Sequence, residues 1–329
     1  MQKIQGDIVK WGIIGVGDVC EVKSAPAMNL IAHSKIEAVM RRDAKKAGDY
    51  AKRHGISKWY SDPDQLISDP DVNAIYIATP PNAHLEYTLK AAVAGKPAYV
   101  EKPMARTYAE CQQMVNICAK ADVPLYVAYY RRALPNFLKI KSLVDEGVIG
   151  KVRMVEVRMH KPLSPDIITH QENHWRVNPE VSGGGYFYDL ASHQLDFLDF
   201  LFGPIVKASG YASNQANQYP AEDIVTASFA FESGVHGTGS WCFTTGNDSD
   251  KDITTIIGET GEISYKTFGS GEVLLIKDGL EETFTFDLPN HIQQPLIQQV
   301  VDDLLGKGTC VSTGISGART NRVMEWMTN

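Results

Sequence analysis

Gly12-Ile13-Ile14-Gly15-Val16-Gly17-Asp18-Val19-Cys20 closes an apolar run that begins at Ile8. Ile8 to Ile14 reads as a buried strand, and the residues after Gly17 read as the start of a helix. Glycines at such a junction let the backbone turn tightly and come close to a ligand, while the helix N-terminus offers N–H groups and a positive dipole end to a pyrophosphate. The third position of that fingerprint is Cys20 rather than Gly or Ala, which still permits close packing. A glycine motif alone is weak, and a plain structural turn is the alternative. Its place at the first strand–helix junction of a repeating series favours dinucleotide binding through Gly15, Val16, Gly17, Asp18 and Val19.

The series continues outward from this loop. Ile36 to Met40, Ala74 to Ala78, Pro97 to Val100 and Leu125 to Ala128 read as short apolar strands. Between them Ala44 to His54, His84 to Ala94 and Thr107 to Lys120 read as helices, with Gly55 and Gly95 as stop signals. Strands alternating with helices of this length imply βαβ units and a parallel sheet covered on both faces. After about residue 130 the rhythm changes. Val152 to His160 alternates as a half-buried strand, with Val152, Met154 and Val155 set against Arg153, Glu156 and Arg158. A polar loop, 161–182, then leads into the helix-like run after Gly183-Gly184-Gly185. Strand candidates follow at 206–213, 224–231, 235–243, 252–257, 261–265, 273–277 and 283–286, and two helices close the chain at 292–305 and 316–327. Strands without intervening helices favour a mainly antiparallel sheet. The expected fold class is therefore α/β followed by α+β: a dinucleotide-binding domain over 1–128 with a parallel sheet, then an α+β domain over 129–329 with a large, mainly antiparallel sheet.

The bulk numbers narrow the partners. A chain of 329 residues fits about two domains. A net charge of −7 argues against a nucleic-acid partner. No apolar run reaches the length of a membrane span, so no membrane role is expected. Met1 to Lys10 carries Lys3, Asp7 and Lys10 and no apolar stretch, so no secretory signal is expected either. The five cysteines are odd in number and form no C-x-x-C, which reads as reduced thiols in a cytoplasmic protein. Cys111 and Cys118 read as core residues of one helix face.

The second strand decides between the two nicotinamide dinucleotides. An acidic residue at its end would bind a ribose 2′-hydroxyl. The strand instead ends Val39-Met40-Arg41-Arg42-Asp43. Arg41 and Arg42 can fork onto a 2′-phosphate, whereas Asp43 lies further on and reads as a helix N-cap. The expectation is NADP, with NAD possible; the alternative is a solvated strand end.

Two further places carry chemistry. Glu101-Lys102-Pro103 follows a parallel strand at its carboxyl end, where open α/β sheets bind ligands, and the bond before Pro103 is a candidate cis peptide. Taken alone, Lys102 reads as a surface lysine. Asp189 and His193 stand at i and i+4 in the helix after the glycines, with Asp196 close to the same stripe. A carboxylate beside an imidazole suits proton transfer, and a helix cap or a structural hydrogen bond is the alternative.

In these residues, and in Ala78-Thr79-Pro80-Pro81-Asn82-Ala83-His84 and Val127-Ala128-Tyr129-Tyr130-Arg131-Arg132, the chain resembles the glucose–fructose oxidoreductase/inositol dehydrogenase (Gfo/Idh/MocA) family over essentially its whole length. The resemblance implies a Rossmann domain followed by an α+β domain whose open sheet serves as a homodimer or homotetramer interface. It implies cofactor contacts at Thr79, Pro80, Asn82, His84, Glu101 and Lys102, and a reach to cofactor or substrate from the loop residues Trp175 and Arg176, for which a packing tryptophan with an exposed arginine is the alternative. It also implies Lys102, Asp189 and His193 as catalytic residues. The implied activity is NADP(H)-dependent oxidoreduction at a CH–OH group of a sugar, a sugar derivative or a cyclic polyol. His193 would move the proton and Lys102 would stabilise charge on the same oxygen, with Asp189 orienting His193 or binding a neighbouring hydroxyl. A dehydrogenase of non-sugar diols, a nicotinamide-dependent redox glycosidase and a non-catalytic dinucleotide sensor share the scaffold as alternatives.

Weaker signals complete the reading. His170-x-x-x-His174 has a metal-compatible spacing in a polar, loop-like setting with no third ligand nearby, so no metal is expected. One of Arg131 and Arg132 is expected near the active site, with a solvated helix start as the alternative.

Overall fold

A computed structural model describes residues 3–163 and 175–329. The chain forms two compact units, one comprising residues up to Tyr130 together with Pro289–Ala318, the other Arg131–Leu288 together with Arg319–Asn329.

The first unit alternates β1 (Val9–Ile14), α1 (Asp18–Val22), α2 (Ala25–Leu30), β2 (Ser34–Met40), α3 (Ala44–Arg53), β3 (Lys58–Tyr60), α4 (Pro63–Ser68), β4 (Ala74–Ile77), α5 (His84–Val93), β5 (Ala98–Val100), α6 (Tyr108–Lys120) and β6 (Leu125–Val127). All its strand pairs are parallel, in the order β3-β2-β1-β4-β5-β6. The order reverses between β1 and β4, and a ligand crevice belongs outside the carboxyl ends of the strands at that point. Every residue of β4, β5 and β6 is buried, as a sheet covered on both faces requires. Cys111 and Cys118 lie in this core.

The segment 289–318 belongs with this first unit, whereas a single cut at residue 128 assigns it to the second. Two contacts place it there. Ser312 Oγ donates to the Val127 carbonyl at 2.7 Å, and Thr313 forms an antiparallel bridge with Tyr126 of β6. The helix α10 (Gln294–Leu304) within this segment buries Leu296, Ile297, Val300, Val301 and Leu304.

The second unit contains α7 (Pro135–Asp145), β7 (Val152–His160), α8 (Pro179–Ser182), a π-helical turn at Phe187–Ala191, α9 (Ser192–Phe202), and the strands β8 (Ile205–Ser213), β9 (Ile224–Phe231), β10 (His236–Cys242), β11 (Lys251–Gly258), β12 (Gly261–Tyr265), β13 (Glu272–Lys277) and β14 (Leu280–Thr285). The chain ends in α11 (Gly314–Thr328). The eight strands order as β14-β13-β12-β11-β7-β10-β9-β8, antiparallel at each pairing except β7 with β10.

The buried face of β7 differs from the sequence reading. Val155, Val157 and Met159 are buried, and Val152 and Met154 share the other face with Glu156 and Arg158. With a period of two, the run Val155/Val157/Met159 fixes the face, and the two apolar residues at the strand start lie on its less buried side. Among the described residues no helix is long and apolar enough to cross a membrane. All five cysteines are free thiols.

Candidate active site

The two loop glycines have different reasons to be glycine. Gly15 has φ +95°, and a Cβ there would stand 2.8 Å from Thr79 Cγ2 and 3.0 Å from the Ala78 backbone. Its N–H bonds to the Met40 carbonyl at 2.9 Å, so the turn is locked against the ends of β2 and β4. Gly17, the residue before α1, has φ −124°, which any residue adopts. Among the described residues a Cβ there would meet nothing nearer than Gly15 O at 4.0 Å. Those residues therefore do not require glycine at 17. An external group approaching the backbone at the start of α1 would, and a pyrophosphate is the group such a cradle suits.

At the end of β2, Arg41 Nη1 donates to the Val16 carbonyl at 3.1 Å, bracing the glycine loop, and Arg42 is exposed. Asp43 caps α3, as expected: its Oδ1 accepts the N–H groups of Lys45 and Lys46 at 3.0 and 3.1 Å. The Lys46 N–H, ahead of weaker charges nearby, holds the Asp43 carboxyl below its usual range. The first acid after β2 is thus engaged in its own helix, and the positions before it are cationic.

Thr79 and Pro80 are half-buried after β4, and Asn82 is exposed. His84, one of the expected cofactor contacts, faces inward. It is fully buried, with Nε2 2.7 Å from the Thr79 carbonyl and Nδ1 3.1 Å from the Met104 carbonyl. Burial lowers its pKa. The imidazole is a strut beneath two loops rather than part of their outer surface. Glu101 also faces inward. Its Oε1 accepts from the Tyr76 hydroxyl and from Gln293 Nε2, both at 2.6 Å. Lys102 follows, half-buried, and the Lys102–Pro103 peptide is cis.

In the second unit, Gly183 takes φ +89° to end α8. A Cβ on Gly185 would stand 2.8 Å from Ala221 Cβ, so the chain enters the next turn in close contact with its neighbour. That turn is π-helical, a form found mostly as single turns and often at functional sites. It carries Asp189, and His193 lies in the first turn of α9. The two residues share one helix but have different surroundings. Asp189 is partly exposed, with Oδ2 3.2 Å from Arg176 Nε. The Arg176 guanidinium also lies over the Trp175 ring, 4.5 Å from its centroid. His193 is 3% exposed, and its ring stands 5.7 Å from that of Phe268 at 80°. Phe268 is pinned: its N–H donates to Asp252 Oδ2 at 2.7 Å, and the Arg131 guanidinium lies 4.2 Å from its ring centroid.

Asp196 takes a different partner from Asp189. It is buried against Arg132, whose Nε and Nη2 donate to its two carboxylate oxygens at 2.8 and 2.7 Å. Arg131 and Arg132 are 4% and 3% exposed, so neither belongs to a solvated helix start. The β-period of the chain gives no sign of the Arg132–Asp196 pair, the Phe268 contact or Gln293, because each joins residues distant in sequence. His170 and His174 lie outside the described residues, and among the described residues no group of three or more His, Cys, Asp or Glu is arranged to hold a metal.

Comparison with known proteins fits both halves. The family described as "Oxidoreductase family, NAD-binding Rossmann fold" matches residues 9–129, and that described as "GFO/IDH/MocA C-terminal domain" matches residues 137–264. Oxidoreductase P35 of Formosa agariphila is 39% identical over 317 residues, spanning 96% of this chain and 97% of that protein. Myo-inositol 2-dehydrogenase of Thermotoga maritima is 29% identical over 231 residues, spanning 69% of this chain and 66% of the relative. The structure of a levoglucosan dehydrogenase in complex with NADH and levoglucosan aligns with a TM-score of 0.86 over 97% of this chain and 96% of that one; at 20% identity this likeness shows the fold.

Proposed function

Since the chain belongs to the Gfo/Idh/MocA oxidoreductase family, with an NAD-binding Rossmann fold followed by that family's C-terminal domain, we propose that it transfers hydride between NADP(H) and a CH–OH carbon of a sugar, sugar derivative or cyclic polyol. The observation that carries this reading is the retention, on one chain, of the glycine cradle, Lys102 after β5 and Asp189 with His193 on one helix.

We assign dinucleotide binding to the first unit and substrate selection to the second. Gly15, Val16, Gly17, Asp18 and Val19 hold the pyrophosphate, Thr79, Pro80 and Asn82 the neighbouring cofactor surface, and Arg41 and Arg42 the 2′-phosphate. When bound, the nicotinamide supplies or accepts the hydride. Lys102 hydrogen-bonds the reacting oxygen and stabilises its negative charge. His193 moves the proton of that oxygen, since an imidazole can both give and take a proton. Asp189, held by Arg176 beside Trp175, binds the adjacent hydroxyl.

Support for a polyhydroxylated substrate comes from the relative named for myo-inositol. The free cysteines support a cytoplasmic setting. The less buried face of the eight-stranded sheet, with Glu156, Arg158, Ser209, Thr226, Thr238 and the 87% exposed Tyr211, supports a homodimer or homotetramer formed through that sheet.

The test is a panel of sugars, sugar acids and cyclic polyols assayed with NADP⁺ and NADPH by the absorbance of the reduced nicotinamide. Stoichiometric cofactor turnover with one of them is the expected result. Release of a leaving group from a glycoside, with no net change in cofactor, would point to a redox glycosidase instead.

A further inference from the structure

One buried residue connects the glycine-loop helix to the peptide that carries Lys102. It is Gln293, which stands just before α10, far along the chain from both. Its amide is used at each end: Nε2 donates to Glu101 Oε1 at 2.6 Å, and Oε1 accepts from the Tyr99 hydroxyl at 2.9 Å. The Tyr76 hydroxyl donates to the same Glu101 oxygen at 2.6 Å. The other Glu101 oxygen takes the Lys102 backbone N–H at 3.3 Å. On its main-chain side, the Gln293 N–H bonds to the Lys23 carbonyl at 3.3 Å, just past the end of α1, and His291 Nδ1 lies 2.6 Å from the Val22 carbonyl.

Tyr76, Tyr99 and Gln293 are fully buried, so their polar atoms must find partners inside the protein. An amide donates to a carboxylate and accepts from a phenol at the same time; an apolar side chain of equal length does neither. The burial of the Glu101 charge depends on donors that are already in place, and Gln293 supplies one of them. Burial, together with the Glu101 charge, also holds the Tyr76 and Tyr99 hydroxyls far above the usual phenol range, so both remain protonated donors.

We propose that Gln293 is a positioning residue for Lys102. It fixes the Glu101 carboxylate, through it the peptide from which the lysine projects, and it ties that peptide to the helix opened by the glycine loop. The inference rests on the reading of Lys102 as the cation that binds the reacting oxygen.

The test is a double-mutant cycle between Gln293→Met and Lys102→Ala, read as kcat of the cofactor-loaded enzyme, with amide hydrogen exchange of the cofactor-free protein alongside. Gln293→Met keeps side-chain length and removes the amide. Alone, it lowers kcat about tenfold, the scale of a lost hydrogen bond to a charged group. In the Lys102→Ala background it changes kcat by less than about twofold, because the group it positions is gone. Exchange speeds up in a peptide covering residues 98–104 and stays as in the wild type for one covering β2. Tyr99→Phe removes only the hydroxyl that orients the amide; it moves both readouts the same way by less, and decides the matter if Gln293→Met does not fold. Losses that multiply across the cycle, or unchanged exchange at 98–104, overturn the proposal. Normal turnover of Lys102→Ala would defeat the reading of Lys102 instead, and the exchange result would still decide whether Gln293 holds the peptide.

Discussion

Arg176 Nε lies 3.2 Å from Asp189 Oδ2, one residue just before α8 and the other in the π-helical turn that leads to His193. Both side chains are partly exposed, at 22% and 14%, so the pair adds no more than about 1 kcal/mol to stability. Its value is in holding a carboxylate at a fixed place near the start of α9. Arg176→Ala should leave the melting temperature nearly unchanged and raise the substrate KM more than it lowers kcat, as steady-state kinetics would show. A fall in kcat with KM unaltered would place Asp189 in the chemistry rather than in substrate binding.

The two loop glycines should separate stability from cofactor affinity. Gly15→Ala meets a positive φ and a 2.8 Å approach to Thr79, and should destabilise the cofactor-free protein by about 1–3 kcal/mol. Gly17→Ala meets no such obstacle, and should melt with the wild type while losing dinucleotide affinity. Calorimetry with a fluorescence titration of NADPH checks both. Normal NADPH binding by Gly17→Ala would remove the cradle from the cofactor site.

Arg41 and Arg42 should differ as well. Arg42 is exposed and braces none of the described loops, so Arg42→Ala should weaken NADPH binding about tenfold or more, the scale of a charged hydrogen bond, and leave NADH alone. Arg41 braces the Val16 carbonyl, so Arg41→Ala should weaken both dinucleotides. Equal affinity of the wild type for NADH and NADPH would contradict the assignment of the 2′-phosphate to this pair.

The Arg132–Asp196 pair is buried on both sides. Removing Arg132 takes the cation from the buried Asp196 carboxylate and should cost about 3–5 kcal/mol, seen in denaturant unfolding; Asp196→Ala should cost less, because Arg132 keeps Asp199 at 3.5 Å. Burial, against the pull of Arg132, pushes the Asp196 carboxyl from 3.8 up to about 6. A folded-state value above the unfolded one means that the native protein binds this proton more tightly. The group's contribution to stability is therefore full below 3.8 and is lost as pH rises through about 6. The melting-temperature gap between wild type and Asp196→Asn should accordingly be wider in mildly acidic buffer than at neutrality. A gap independent of pH would contradict the shift.

The Rossmann half was legible because its central strands are short, continuous apolar runs punctuated by glycine stops, and because Asp43 sits where a cap belongs. β3 and α4 escaped: Lys58–Tyr60 is a three-residue edge strand with little apolar signal, and α4 spans only six residues. α7 escaped because the change of rhythm after residue 130 masked a helix that starts at Pro135. Asp189 and His193 were legible as a spacing, but the turn between them is π-helical, which no residue pattern announces. Asp196 looked like a third member of the stripe; its role is decided by Arg132, sixty-four positions earlier. The return of 289–318 to the first unit was likewise invisible, since it rests on contacts of β6 and Glu101 with residues more than 180 positions away.

Hydride transfer is the central claim, and isotope tracing tests it most directly. NADPH carrying deuterium at the transferable C4 position should be incubated with the carbonyl form of whichever substrate the panel selects, and the product read by mass spectrometry. One deuterium per product molecule on the carbon that becomes CH–OH, with one cofactor oxidised for each, is the predicted result. Product formed without deuterium, or with the label retained in the cofactor, would contradict it.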